Sequence, residues 1–140
     1  MTIEDVARTE VVTVTPDAPL DEIGRLMHRE TIGCVVVLDD GKPRGVVTDR
    51  DVAVYGVGSD RPAEELLARN VMEENLFHVD VDDSVRGVIK RMRRRSVRRV
   101  PVTDDGELAG IVTLDDLLVL LADELADLAA VIESESPPYR

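Results

Sequence analysis

Two kinds of apolar pattern alternate along the chain, and the series occurs twice. Residues 11–14 form a β-branched run stopped by Pro16, and Pro19 then opens a segment whose Leu20, Ile23, Leu26 and Met27 fall on one helical face. A continuous apolar run over 34–38 reaches Asp39-Asp40-Gly41, where the Asp-Gly step favours a tight hairpin into a second run at 45–47. A helix is expected to begin at Thr48. The series then restarts: a run at 77–79, a helix from Ser84 with Val85, Val88, Ile89 and Met92 on its apolar face, a run at 100–102, the turn Asp104-Asp105-Gly106, a run at 110–112 and a helix from Thr113.

Sliding the chain on itself by 65 positions lays 6–53 on 71–118 without a gap. Val6 meets Val71, Val14 meets Val79, Asp17 meets Asp82 and Met27 meets Met92. Gly45, Val47, Thr48 and Asp51 meet Gly110, Val112, Thr113 and Asp116. The pattern predicts an α/β fold of two β-α-β-β-α units. A single unit is too small to cover its own sheet, so the two are expected to pack face to face with pseudo-twofold symmetry. The halves are read as 1–66, the first repeat with its connecting helix, and 67–140, the second with an extended C-terminal helix. Ser59-Asp60-Arg61-Pro62 is expected to start the connecting helix, with Leu66, Leu67 and Val71 as its apolar stripe. The last helix, from Leu114 to about Ile132, outruns its counterpart, and 133–140, with Pro137-Pro138, is expected to fray.

Composition narrows the chemistry. The 140 residues carry 29 acidic against 17 basic side chains, a formal charge of −12, and a field of that sign disfavours nucleic acid and anionic membranes. Only Lys42 and Lys90 are lysine, and aromatic residues make up 2% of the chain. An acidic, lysine-poor, aromatic-poor balance resembles cytoplasmic proteins of salt-loving microbes. Cys34 is the single cysteine, so no internal disulfide forms and a reducing interior suits it. No stretch approaches the roughly 20 apolar residues that span a bilayer, and the N-terminus has no apolar leader pattern, so a cytoplasmic location is expected.

The sharpest shared motif is Gly-apolar-apolar-Thr-x-x-Asp, at 45–51 and 110–116. A strand ends, a hydroxyl sits at the helix N-cap and a carboxylate follows one turn in, so all three groups and the free N–H donors converge. The donors suit phosphate oxygens, and the acceptor-only carboxylate suits the two hydroxyls of a ribose. The same spacing is close to a capping box, in which the two side chains only satisfy the helix start. Spacing leaves both open.

With its Gly-Val-Val-Thr-Asp-Arg-Asp and Arg-Val-Pro-Val-Thr-Asp-Asp-Gly segments, the repeat resembles a tandem CBS (cystathionine β-synthase-type) domain pair from Val6 to about Leu120. The resemblance implies an adenosine-type ligand, AMP, ADP, ATP or S-adenosylmethionine, held between the copies, with no cofactor required. By position it implies Asp51 with Thr48 and Asp116 with Thr113 at ribose and phosphate. It places adenine among apolar residues near Val12–Val14 and Val46, or near Phe77–Val79 and Ile111; His78 is read either as a base-pocket residue or as a structural strand histidine.

The copies differ in charge. Lys90, Arg91, Arg93, Arg94, Arg95, Arg98 and Arg99 crowd the second, where the helix members fit a solvated or ion-paired face. Arg98 and Arg99 precede the strand at 100–102, where similar proteins set cations against phosphate, and copy one has Gly33 and Cys34 there. The second copy is therefore expected to be the phosphate site, with Arg50 in the first either a partial substitute or a first-turn surface residue. No phosphate loop, zinc-protease pair or nucleophile elbow is present, so no enzyme is expected. The resulting expectation is a regulatory module that binds an adenosine-containing small molecule, forms a homodimer and acts on an unidentified partner protein, without membrane or nucleic acid. The alternative is a ligand-free interaction scaffold whose motifs are helix caps.

Overall fold

The computed structural model describes residues 1–72 and 77–135. A 3₁₀ turn (Ile3–Asp5) leads to β1 (Thr13–Val14), α1 (Leu20–Glu30), β2 (Cys34–Asp39), β3 (Lys42–Thr48) and α2 (Asp49–Gly58). A second 3₁₀ turn (Ala63–Glu65) and the single-turn α3 (Ala68–Val71) connect to β4 (Val79–Asp80), α4 (Val85–Arg95), β5 (Arg99–Asp104), β6 (Glu107–Thr113) and α5 (Leu114–Glu135). Each repeat is the expected β-α-β-β-α unit. In each, a short parallel strand, β1 or β4, lies beside the hairpin β2-β3 or β5-β6.

Local sequence explains these elements. Leu20, Ile23 and Met27 turn one face of α1 inward, and Val85, Val88 and Met92 do the same for α4. The hairpins close on Asp40-Gly41 and Asp105-Gly106, whose φ values of 53°, 77°, 53° and 85° supply the paired left-handed residues of a type I′ turn. One core gathers Leu20, Ile23, Val35, Val37 and Val47; the other gathers Val79, Val88, Val100, Val102 and Val112. Both are aliphatic, as a chain this poor in aromatics requires. β3 and β6 meet where the repeats face one another.

The repeats also exchange straps. Ile3, at the start of the chain, is fully buried in the second repeat's core, while Leu66, Ala68 and Val71 complete the first. The backbone bonds match in the 65-residue register. Ile3 N–H donates to Asp83 O at 2.9 Å and Ala68 N–H to Ala18 O at 2.8 Å; Glu4 N–H donates to Val81 O at 3.1 Å and Arg69 N–H to Pro16 O at 3.0 Å. Each strap therefore satisfies backbone groups of the other unit as well as filling its core.

This exchange changes the expected connecting helix. Leu66 is extended and accepts from Leu20 N–H at 2.8 Å, so the backbone there bonds to the first repeat and the helix is reduced to two short turns. Close approach of the straps also explains the motif glycines. A Cβ on Gly110 would stand 2.5 Å from the Arg8 carbonyl oxygen, and one on Gly45 would stand 2.7 Å from Met72 Sδ.

At the other end α5 runs through Glu135, so 133–135 are helical where fraying is expected; 136–140, with Pro137-Pro138, lie outside the described residues. Leu117 anchors α5 in the second core, while Leu118, Leu121, Leu125, Leu128 and Ile132 are all exposed.

Candidate functional site

Two clefts open where the repeats meet, and they are built from equivalent parts. The first, about 360 Å³, sets the helix start Thr48, Asp49, Arg50 and Asp51, with Val46, against Phe77 and 96–99 of the second repeat. The second, about 300 Å³, sets Ile111, Thr113 and Asp115 against Val11, Val12 and 31–34 of the first repeat, with Arg8 and Arg98 and Arg99 at its wall. Each cleft thus joins the motif of one repeat to the strand entry of the other. Each motif is also bonded to the strand entry of its own repeat, Asp49 N–H donating to Gly33 O at 2.9 Å and Leu114 N–H to Arg98 O at 2.8 Å, so the pseudo-twofold packing brings both strand entries to the junction.

In the first cleft the Thr-x-x-Asp spacing forms a capping box. Asp51 N–H donates to Thr48 Oγ1 at 3.2 Å, and Thr48 N–H donates to Asp51 Oδ2 at 2.9 Å. Capping leaves Asp51 Oδ1 without a hydrogen bond among the described residues, on a side chain that lines the cleft. The helix cap and an acceptor for a ligand hydroxyl are therefore compatible in one residue.

The second motif is wired differently. Asp116 N–H donates to Thr113 Oγ1 at 3.1 Å, but the Asp116 carboxylate turns to Arg8. Arg8 Nε donates to both carboxylate oxygens, at 3.1 and 3.0 Å, and Arg8 Nη2 to Oδ1 at 2.7 Å. The bonded carboxylate holds the Arg8 guanidinium above its ordinary value. Arg8 lines the cleft and Asp116 does not.

The predicted residues divide accordingly. Thr48, Asp51, Val46, Arg50, Arg98 and Arg99 come together in the first cleft. Thr113 and Ile111 line the second, and Arg98 and Arg99 reach both. The sequence expectation joined these two arginines to the second motif; in the structure they stand beside Thr113 on the neighbouring strand and also face Asp51 across the repeat junction. Arg98 Nη2 lies 3.6 Å from Asp115 Oδ1 in an exposed pair, and Arg99 has no ion pair among the described residues.

Val14, Val79 and His78 lie apart from both clefts. Val14 packs on the first core and Val79, 2% exposed, is inside the second. His78 Nδ1 is 3.4 Å from Thr103 Oγ1 on the neighbouring strand. Of the expected stretches Val12–Val14 and Phe77–Val79, it is the first residues, Val12 and Phe77, that line the clefts, because β1 and β4 begin only after them. The Phe77 ring carries the Arg91 and Arg95 guanidinium groups at 4.8 and 5.3 Å from its centroid, which accounts for part of the arginine cluster.

Sequence reasoning missed Arg8 and the pairs Thr31-Ile32 and Ser96-Val97. The last two were available from the 65-residue register, as a hydroxyl and an aliphatic residue closing equivalent helices. Thr31 and Ser96 end α1 and α4 with φ of 55° and 54°, left-handed geometry that is uncommon for residues with a side chain. Arg8 had no local signal, since its partner lies 108 positions away. Cys34, half-buried at the wall of the second cleft, has its thiol pushed above the ordinary value by burial, with Arg99 opposing and Asp49 adding to the shift.

The fold and the paired clefts define a class, and sequence comparison agrees: the CBS domain family matches residues 3–58 and 68–123, and the chain belongs to that family. It is 34% identical over 120 residues to the uncharacterized protein MK0525 of Methanopyrus kandleri, a match covering 84% of this chain and 61% of that one. The CBS domain-containing protein YhcV of Bacillus subtilis is 31% identical over 117 residues, covering 84% of this chain and 83% of its own. The CBS domain pair of protein MJ0100, solved with 5′-methylthioadenosine and S-adenosyl-L-methionine, superposes with a TM-score of 0.78 at 22% identity, covering 89% of this chain and 98% of that one. At that identity the likeness is one of fold. No helix among the described residues is long and apolar enough to cross a membrane.

Proposed function

We propose that this CBS pair is a regulatory module that binds one adenosine-type ligand, AMP, ADP, ATP or S-adenosylmethionine, in the Asp51 cleft, and transmits occupancy to a partner protein. The observation that carries the reading is the convergence there of a free carboxylate oxygen on Asp51, the cations Arg50, Arg98 and Arg99, and the chain's one phenylalanine, Phe77. A ribose diol donates to the carboxylate, phosphate accepts from the guanidinium groups, and an adenine ring has an aromatic face and Val46 to lie against. Phosphorylated ligands are favoured over S-adenosylmethionine, whose tail is a poorer match for three arginines. Binding here shifts the packing of two halves already interlocked by their straps, which gives the ligand a route to a distant surface. The role is binding, not catalysis.

The C-terminal helix supports a homodimer. Leu114, Leu118, Leu121, Leu125, Leu128 and Ile132 recur at alternating spacings of four and three, the pattern of a helix seam. The acidic α5 also complements the basic α4 of a second copy, so one twofold contact can use both faces twice. A cytoplasm rich in salt fits the acidic, lysine-poor surface and screens repulsion between such copies.

Thermal unfolding across the ligand panel tests the reading. A ligand present at about 100 times its Kd adds about 2.7 kcal/mol and raises Tm by several degrees. Asp51→Ala should remove the rise. The second reading, a ligand-free scaffold, is favoured by the intact Thr48–Asp51 capping box and predicts no rise with any member of the panel.

A further inference from the structure

The two clefts differ most in what touches the motif carboxylate. Asp51 offers Oδ1 to its cleft, whereas both oxygens of Asp116 are taken by one guanidinium. Arg8 is not a loose surface arginine. Its backbone pairs with Ile111 in both directions, N–H to O at 2.9 Å and O from N–H at 3.0 Å, and five residues upstream Ile3 is fully buried. The strap therefore aims this side chain.

A guanidinium fork and a vicinal diol bind a carboxylate in the same way, each presenting two parallel donors to its two oxygens. They compete for the same edge of the group. At the repeat position equivalent to Arg8 the sequence has Glu73, an anion with no such fork to offer; it lies outside the described residues.

We propose that Arg8 is a latch on the second cleft: it occupies the ribose-accepting carboxylate of Asp116 and keeps that cleft closed to an adenosine-type ligand until the N-terminal strap gives way. This rests on the adenosine reading above and assigns regulation within it. The chain then has one open site and one latched site. A ligand that does enter the second cleft must displace Arg8, and in doing so it loosens the strap that caps the second core, so occupancy of this cleft is coupled to the order of residues 1–8.

Calorimetry with AMP on the full chain tests the latch. The wild type is expected to bind at one site that Asp51→Ala abolishes. Arg8→Ala should add a second site at least tenfold tighter than any second-site binding in the wild type, and Asp116→Asn placed on Arg8→Ala should remove it. Arg8→Lys, which keeps the charge without the fork, should open the site only in part. A stoichiometry that stays at one in Arg8→Ala, or a second site that weakens because Arg8 contacts the ligand, overturns the latch while leaving the Asp51 reading intact. Absence of AMP binding in every variant overturns both.

Discussion

Ile3 and Ala68 occupy the same position of the repeat, and each is fully buried in the core of the half to which it does not belong. The two halves are consequently one folding unit. Ile3→Ala should cost about 2–5 kcal/mol, as for other buried aliphatic truncations, and should shift a single cooperative transition. Urea unfolding followed by circular dichroism checks this. Two separated transitions would show that the straps are ornamental.

Gly110 faces the Arg8 carbonyl at a distance no Cβ tolerates, and its contact is backbone that is itself hydrogen-bonded. Gly110→Ala should destabilise by about 1–3 kcal/mol, the range of overpacked sites. Gly106→Ala, at a left-handed turn position with open space around it, is the informative comparison, since its cost arises from backbone strain and should leave the strap in place. Amide exchange at Ile111, fast in Gly110→Ala and slow in Gly106→Ala, distinguishes the two.

The Thr48 hydroxyl has a structural duty whatever binds beside it. Thr48→Ala should lower stability by about 1 kcal/mol through loss of the cap. Thermal melts with and without AMP separate that cost from any loss of binding. If Thr48→Ala melts like the wild type, the bond to Asp51 N–H contributes nothing.

These outcomes bear on what the sequence could disclose. The repeat, the hairpin turns and the Thr-x-x-Asp helix starts were legible because each is a local pattern: Asp-Gly sets a turn, a hydroxyl sets a cap, and the 65-residue register repeats them. Thr48, Asp51, Arg98, Arg99 and Ile111, which sit in or beside those patterns, line the clefts at the repeat junction. Their grouping was not legible. Which arginine faces which aspartate depends on how the repeats cross, and nothing within one repeat encodes that. Arg8 was invisible for the same reason, being an exposed arginine whose meaning comes from Asp116 in the other half. Within the expected stretches Val12–Val14 and Phe77–Val79, which residue reaches the cleft was not legible, because β1 and β4 are only two residues long and their boundaries carry little signal.

Cys34 provides a built-in reporter of the second cleft. Its thiol is held above the ordinary value, so its neutral form is the one favoured by folding; that contribution is complete below the usual thiol range and is lost as pH rises through the raised value. Iodoacetamide should alkylate native Cys34 slowly at pH 7 and faster only in alkaline buffer. Arg8→Ala with AMP should slow the alkaline reaction further. Fast labelling at neutral pH would contradict the half-buried placement.

The proposed homodimer makes a separate demand on α5. Leu121→Glu combined with Leu125→Glu should convert the dimer to a monomer in sedimentation equilibrium, with the far-ultraviolet spectrum of the fold retained. A dimer that persists would place the contact elsewhere.

The most direct test of an adenosine site at the repeat junction is calorimetric titration of AMP into the wild type and into Asp51→Ala, in matched salt. Saturable binding at one site in the wild type and none in Asp51→Ala is the predicted result. Binding of equal strength in both proteins, or in neither, would contradict it.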